Sequence, residues 1–242
     1  VKDGDEWIIN GEKTWNTGIH KAQYDMIMAR TSGKAGDGDG ITAFLVPMDS
    51  AGISSSHFSD LGQHAVGRGS IFFDDVRVPA THRLGAEGTG FIQVMQGFDF
   101  SRALIGLQCL AVARVSLAET WSYIQSRNAF GRPLSDNQGV TFPLAEAETM
   151  VSAARLLCYR TLAAKDAGAP HTSEAAMCKW WAPKLAFEVV QQCLLMHGHA
   201  GWSTDLPFEQ RLRDVLGLQI GDGTAQIMKL IIAREALKAA RP

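Results

Sequence analysis

The sequence predicts an α+β protein built from two segregated parts. A small antiparallel β-barrel or sandwich occupies residues 1–84, and an antiparallel four-helix bundle occupies 85–242. Two observations carry this reading. In the first part, short apolar runs are separated by turn residues. From Gly88 onward, long stretches rich in Ala, Leu, Glu, Gln, Met and Arg take over. Strands first and helices second is the α+β pattern.

The strand candidates are Trp7–Ile9, Asp25–Ala29, Thr42–Val46 and Ser70–Phe73. Asn10-Gly11 lies between apolar runs and predicts a tight hairpin turn. The loop Gly36-Asp37-Gly38-Asp39-Gly40 reads as a mobile hairpin tip. It has neither the lysine of a phosphate-binding loop nor the terminal Glu of a calcium loop. The helical segments are about 88–127, 136–167, 173–198 and 223–240, with a short one near 207–216. Pro133, Gly168-Ala169-Pro170 and Gly198 to Gly201 punctuate them. The first carries Leu104, Leu107, Ala111, Val115 and Ala118 and is apolar on more than one face, as in a helix buried in a large bundle or an oligomer.

Composition narrows the function classes. The 242 residues are 46% hydrophobic and 20% charged, with a net charge of −2, so no nucleic-acid footprint is indicated. No charge-free apolar run reaches the ~18 residues of a membrane span, and no signal peptide is visible. Cys109, Cys158, Cys178 and Cys193 lie in apolar helical sequence without metal spacing, and read as buried thiols of a reducing compartment. His197 and His199 lack a third ligand and do not make a metal site. The chain opens on a turn, Lys2 to Glu6, and runs straight into a strand with no initiator Met. The expectation is a fragment whose N-terminal part is absent.

The most informative stretch is Gly221-Asp222-Gly223-Thr224-Ala225-Gln226 at the head of the last helix. One carboxylate stands between two glycines, so a flat substrate can approach it. The groups that follow sit where free helix N–H donors and the positive dipole end gather. Asp-Gly-Thr is also an ordinary cap and turn, so the segment alone does not decide.

Five separated stretches together resemble the acyl-CoA dehydrogenase family. They are Asn10 to Gly18, Phe72 to Pro79, Phe98 to Arg102, Arg127 to Leu134 followed by Gln138, and Gly221 to Gln226. Their order and spacing are similar across nearly the whole chain, covering the family's middle β domain and C-terminal helical domain. Its N-terminal helical domain has no counterpart here. The terminal segment looks most like the Asp-bearing branch of cyclohexane-1-carboxyl-CoA dehydrogenases.

The resemblance implies FAD-dependent α,β-dehydrogenation of an acyl-CoA thioester. Asp222 matches the base that removes the α-proton, where most members carry Glu, and Gly223 leaves room for the thioester. The shorter arm, by roughly 1.3 Å, and Gly221 where Tyr is common would suit a cyclic or α-branched acyl group. Ser101 stands where some relatives place their base, and Ser cannot do that work. Trp15 and Thr17 match residues flanking the isoalloxazine. Arg127, Phe130 and Gln138 match contacts to the FAD of a neighbouring subunit. Gly198 and Gly201 match a glycine turn near the adenosine, although Leu195 and His199 depart from it. Thr224 and Gln226 match further FAD contacts. Asp99 and Arg102, three apart on one helix face, match contacts to the pantetheine side and could equally be an ion pair. The resemblance also implies a homotetramer, a dimer of dimers. Electron-transferring flavoprotein is the implied acceptor. The implied location is the bacterial cytoplasm, or the mitochondrial matrix in a eukaryote. Rival readings are a straight-chain acyl-CoA dehydrogenase, an acyl-CoA oxidase, and a non-catalytic flavin- or CoA-binding homologue.

Overall fold

The computed structural model describes residues 1–241. The chain divides into two compact units, the first Val1–Gly97 and the second beginning at Phe98.

The first unit holds β1 (Lys2–Asp3), β2 (Glu6–Thr17), β3 (Tyr24–Arg30), β4 (Ile41–Pro47), β5 (Ile53–His57), β6 (Arg68–Pro79) and β7 (Arg83–Leu84). They form one antiparallel sheet in the order β1-β2-β6-β5 and a second in the order β3-β4-β7. Trp7, Ile9, Ile71, Phe73, Val76 and Val78 of the first sheet share a core with Ile27, Phe44 and Val46 of the second. Alternate residues of each strand therefore point into one layer between the sheets. The rings of Trp7 and Phe44 meet edge to face at 5.5 Å.

The expected hairpin turn at Asn10-Gly11 is not there. Both residues lie inside β2, where the register against β6 shifts between Ile9 and Gly11. The dipeptide serves a β-bulge instead. Asn10 replaces the missing ladder bonds: its Nδ2 donates to Asp75 Oδ1 at 2.8 Å, and the Asp75 N–H donates to Asn10 Oδ1 at 2.8 Å. Strand β5 had no sequence signal, because Ile53-Ser54-Ser55-Ser56-His57 has one apolar residue. It is an edge strand held by backbone pairing to β6. The glycine-aspartate loop does join two paired strands, β3 and β4. Arg30 organises it, donating to the carbonyls of Asp37 at 2.6 Å and Asp39 at 3.0 Å.

The helices are α1 (Gly90–Ser126), α2 (Gln138–Asp166), α3 (Thr172–His197), α4 (His199–Trp202), α5 (Phe208–Gly217) and α6 (Ala225–Ala239). Between α1 and α2 runs a small hairpin of β8 (Asn128–Ala129) and β9 (Arg132–Pro133). Leu110, Leu117 and Ile124 of α1, Leu144 and Val151 of α2, Val189 and Val190 of α3, and Phe208 and Val215 of α5 form the helical core. By length and a mean hydropathy of 1.4, α1 would pass for a membrane span. It instead contributes one face to this core and carries Asp99, Arg102, Arg114 and Glu119. Its other apolar face, with Leu104, Ala111, Val115 and Ala118, is exposed in this chain. The four cysteines are free and buried. Burial pushes the Cys109 thiol up to about 12 and the Cys193 thiol up to about 11, so both stay protonated and act as packing groups.

Candidate active site

Helix α6 starts at Ala225 with Thr224 as its cap residue, so Asp222 stands just outside the helix. Leu218 ends α5, and only Gln219 to Gly223 separate the two helix ends. The chain must turn sharply in that interval, and it does so through left-handed backbone. Asp222 has φ 56° and Gly223 has φ 104°. A Cβ on Gly223 would lie 2.7 Å from the Met228 side chain, so this glycine is required both by conformation and by packing. Asp222 is exposed, and Ser101 Oγ on α1 donates to its Oδ2 at 3.2 Å. Its N–H has no intrachain acceptor among the described residues.

Lys179, about two turns into α3, is 1% exposed. Its ammonium donates to Leu218 O at 2.7 Å and Gly223 O at 3.2 Å. Burial pushes its proton affinity below that of an ordinary lysine, and the nearby Asp222 carboxylate works in the opposite direction. Neither the Ser101 contact nor Lys179 was found in the sequence. A lone lysine between Cys178 and Trp180 in an apolar helix was the available signal.

Asp99 and Arg102 do form an intrahelical pair, Arg102 Nη1 to Asp99 Oδ1 at 2.8 Å. Thr172, at the start of α3, donates to the other Asp99 oxygen at 2.6 Å. Arg102 is 5% exposed, its guanidinium lies over Phe98, and its Nε is buried without a partner. Breaking such a pair by removing one member costs about 3–5 kcal/mol.

The remaining candidates fall at four places. Trp15, in the first unit, has φ 63° at a second register shift of β2, between Lys13 and Asn16. Its ring is 64% exposed and leans on Phe58 at 4.7 Å, so it is not a core residue of the sandwich. Thr17 is exposed two positions on. In the second unit, Phe130 (φ 55°) and Gly131 (φ 82°) make the tip of the β8–β9 hairpin, with the Phe130 ring wholly in solvent. Arg127 precedes that hairpin and Gln138 follows it at the first residue of α2; both are exposed. Gly198 ends α3 with φ 58°, and Gly201 is packed so tightly that a Cβ would strike Leu194 O. His197 is buried between Tyr123 and Phe208, its Nδ1 paired with Cys193 O at 2.8 Å, a packing role. Thr224 is partly buried and Gln226 exposed at the head of α6.

Two sheets forming a sandwich, a helical unit, and a carboxylate presented at a helix start between glycines define a class of protein. The chain belongs to the acyl-CoA dehydrogenase family. Residues 1–76 match its "Acyl-CoA dehydrogenase, middle domain" and residues 88–237 its "Acyl-CoA dehydrogenase, C-terminal domain". The mouse mitochondrial short-chain specific acyl-CoA dehydrogenase is 36% identical over 241 residues, 99% of this chain and 58% of that protein. Cyclohexane-1-carbonyl-CoA dehydrogenase of Geobacter metallireducens is also 36% identical over 241 residues, 99% of this chain and 63% of that protein. A glutaryl-CoA dehydrogenase of Mycobacterium smegmatis, solved in complex with FADH2, superposes with a TM-score of 0.89 at 27% identity, covering 99% of this chain and 61% of that one. The chain thus spans about three fifths of the length of these relatives.

Proposed function

We propose that this chain carries the catalytic base and part of the flavin site of an FAD-dependent acyl-CoA dehydrogenase, with Asp222 as the base. The single observation that carries the reading is Asp222 itself: an exposed carboxylate in a left-handed turn between two glycines, oriented by Ser101 Oγ at 3.2 Å. In the reaction the Cα–H bond breaks and its proton passes to the Asp222 carboxylate. The Cβ–H bond breaks with both electrons, and the Cα=Cβ double bond forms. When bound, FAD supplies the hydride acceptor. The α-proton is weakly acidic, so the base must be close and the developing enolate oxygen must be hydrogen-bonded. The Asp222 N–H, without an intrachain acceptor among the described residues, is suited to that thioester oxygen.

The residues present fit a flavin dinucleotide. Trp15 offers an exposed aromatic face, with the Thr17 hydroxyl nearby in sequence, for the isoalloxazine. Arg127, exposed and with no intrachain ion pair among the described residues, offers a cation for the diphosphate, with Phe130 and Gln138 as companions. Gly198 and Gly201 give a close backbone turn, and Thr224 and Gln226 hydrogen-bonding groups. FADH2 in the mycobacterial relative supports the assignment. Asp99 and Arg102 form a pair on α1 that Thr172 at the start of α3 joins, and by resemblance they face the pantetheine arm. A homotetramer passing electrons to electron-transferring flavoprotein is the assembly we infer by the same resemblance.

For the substrate we favour a ring-bearing or α-branched acyl-CoA, with cyclohexane-1-carboxyl-CoA as first candidate, because Gly221 and Asp222 shorten the base and open space at Cα. Similarity does not choose, since the short-chain and the cyclic relatives are equally identical. The test is anaerobic flavin bleaching and kcat/KM of the full-length protein with cyclohexane-1-carboxyl-, butyryl- and octanoyl-CoA. The cyclic thioester is expected to be preferred. A tenfold preference for either linear one, about 1.4 kcal/mol of transition-state discrimination, defeats the substrate proposal and leaves the dehydrogenase reading standing. No bleaching by any acyl-CoA favours the non-catalytic homologue.

A further inference from the structure

Among the described residues, Lys179 is the one buried ammonium in the helical core, and the reaction above does not use it. It lies on α3, yet both of its bonds go to carbonyls that bracket the Asp222 turn, Leu218 O at 2.7 Å and Gly223 O at 3.2 Å. Leu218 is the C-cap of α5, where carbonyls lack helical partners and a cation is favoured by the helix dipole. Gly223 directly follows the carboxylate. One side chain therefore ties down both ends of the turn, from a helix that is itself locked in the core. Burying an ammonium is costly unless it is paired and hydrogen-bonded, and an apolar residue would fill the same space without that cost.

We propose that Lys179 is a positioning residue for Asp222: its bridge from Leu218 O to Gly223 O holds the turn in the left-handed form that presents the carboxylate to Ser101 and to the α-carbon. This rests on the reading of Asp222 as the base. The titratable groups facing the ammonium are the Asp222 carboxylate in the turn, and the Arg102 guanidinium and the neutral Cys109 thiol on α1. Of these, only the Asp222 carboxylate carries the opposite charge. With the bridge gone, the turn relaxes and the carboxylate drifts. A base displaced by about 1 Å can slow a reaction by ~10²-fold, whereas most of the groups proposed to hold the cofactor and the CoA arm, Trp15, Arg127, Phe130, Gln138, Asp99 and Arg102, lie outside this turn.

The test uses the full-length, FAD-loaded protein. Lys179→Met removes charge and donors at similar volume, Lys179→Arg keeps both, and Asp222→Asn is the reference for loss of the base. Flavin content, acyl-CoA affinity from the flavin spectral change, and anaerobic flavin reduction per bound flavin are measured for each. The Met variant is expected to keep acyl-CoA affinity within about threefold while flavin reduction slows by at least about thirtyfold. The Arg variant should recover a substantial part of that rate. If Lys179→Met does not hold flavin, Lys179→Gln, which keeps one donor, is judged by the same criteria. Wild-type reduction per bound flavin in the neutral variant overturns the proposal. So does a loss of acyl-CoA affinity that accounts for the whole effect. An unimpaired Lys179→Met beside an inactive Asp222→Asn sinks the positioning role alone. An active Asp222→Asn sinks the base assignment on which it rests.

Discussion

A side chain held in left-handed backbone costs on the order of 1–3 kcal/mol, and such strain collects where function demands it. Among the described residues, Trp15, Gln63, Asp75, Phe130 and Asp222 are the non-glycine residues with positive φ. Asp75 is compensated locally by its two bonds to Asn10. Trp15, Phe130 and Asp222 each project an aromatic ring or a carboxylate into solvent, and the turn at Asp222 is bracketed by the two Lys179 hydrogen bonds. The geometry of Asp222 also sets a size limit on its neighbour. The arm of Asp222→Glu is longer by roughly 1.3 Å and would intrude on a ring at Cα. Activity on cyclohexane-1-carboxyl-CoA is expected to fall in that variant, with butyryl-CoA unchanged or improved. An equal loss on both thioesters would show that arm length does not select the substrate. The carboxylate itself was legible in the sequence, since only Asp222 stands between two glycines at a helix start. Its partners were not. Ser101 lies 121 positions away and Lys179 on α3, with α4 and α5 between it and the turn, and no local pattern announces either contact.

At the scale of the element, the long helices were readable because their propensities agree with their punctuation. Sequence-based bounds of about 136–167 and 173–198 stand against Gln138–Asp166 and Thr172–His197. Strands were harder. Asn10-Gly11 carries the chemistry of a turn and of a bulge alike, and the twelve-residue β6 opposite it decides in favour of the bulge. Short α5 is fixed to α1 by a fork. Arg211 Nη2 donates to Glu119 Oε1 at 2.8 Å and Nη1 engages Oε2, with Ser116 Oγ at 3.2 Å from Nη1. The Arg211 hydrogen bonds hold the Glu119 carboxyl below its ordinary value of 4.5. A depressed folded-state value means that the stabilisation is complete above the unfolded value and is lost as pH falls through the folded one. The carboxylate is partly exposed, so Glu119→Gln is expected to cost only about 0.5–1 kcal/mol near neutral pH. That difference should close as the pH is lowered past the usual carboxylate range. Thermal melts of wild type and variant at neutral and acid pH measure it, and a gap that persists unchanged in acid would show that the fork's charge does not matter.

Across the whole molecule, the surface divides into groups the chain satisfies and groups it does not. The sandwich and the helical core each bury their own large apolar residues. The exposed face of α1 with Leu104, Ala111, Val115 and Ala118, the Phe130 ring and the Arg127 guanidinium are left open. Those open groups are what a flavin and neighbouring subunits would engage in the tetramer proposed here. The account stands most directly on Asp222 acting as the base. The decisive measurement is single-turnover flavin reduction in full-length Asp222→Asn, with flavin content and acyl-CoA binding measured in parallel. Asparagine keeps the size and the Ser101 hydrogen bond but removes basicity. The account predicts retained FAD and acyl-CoA binding with flavin reduction slowed by at least about 10³-fold. Reduction at close to the wild-type rate would contradict it.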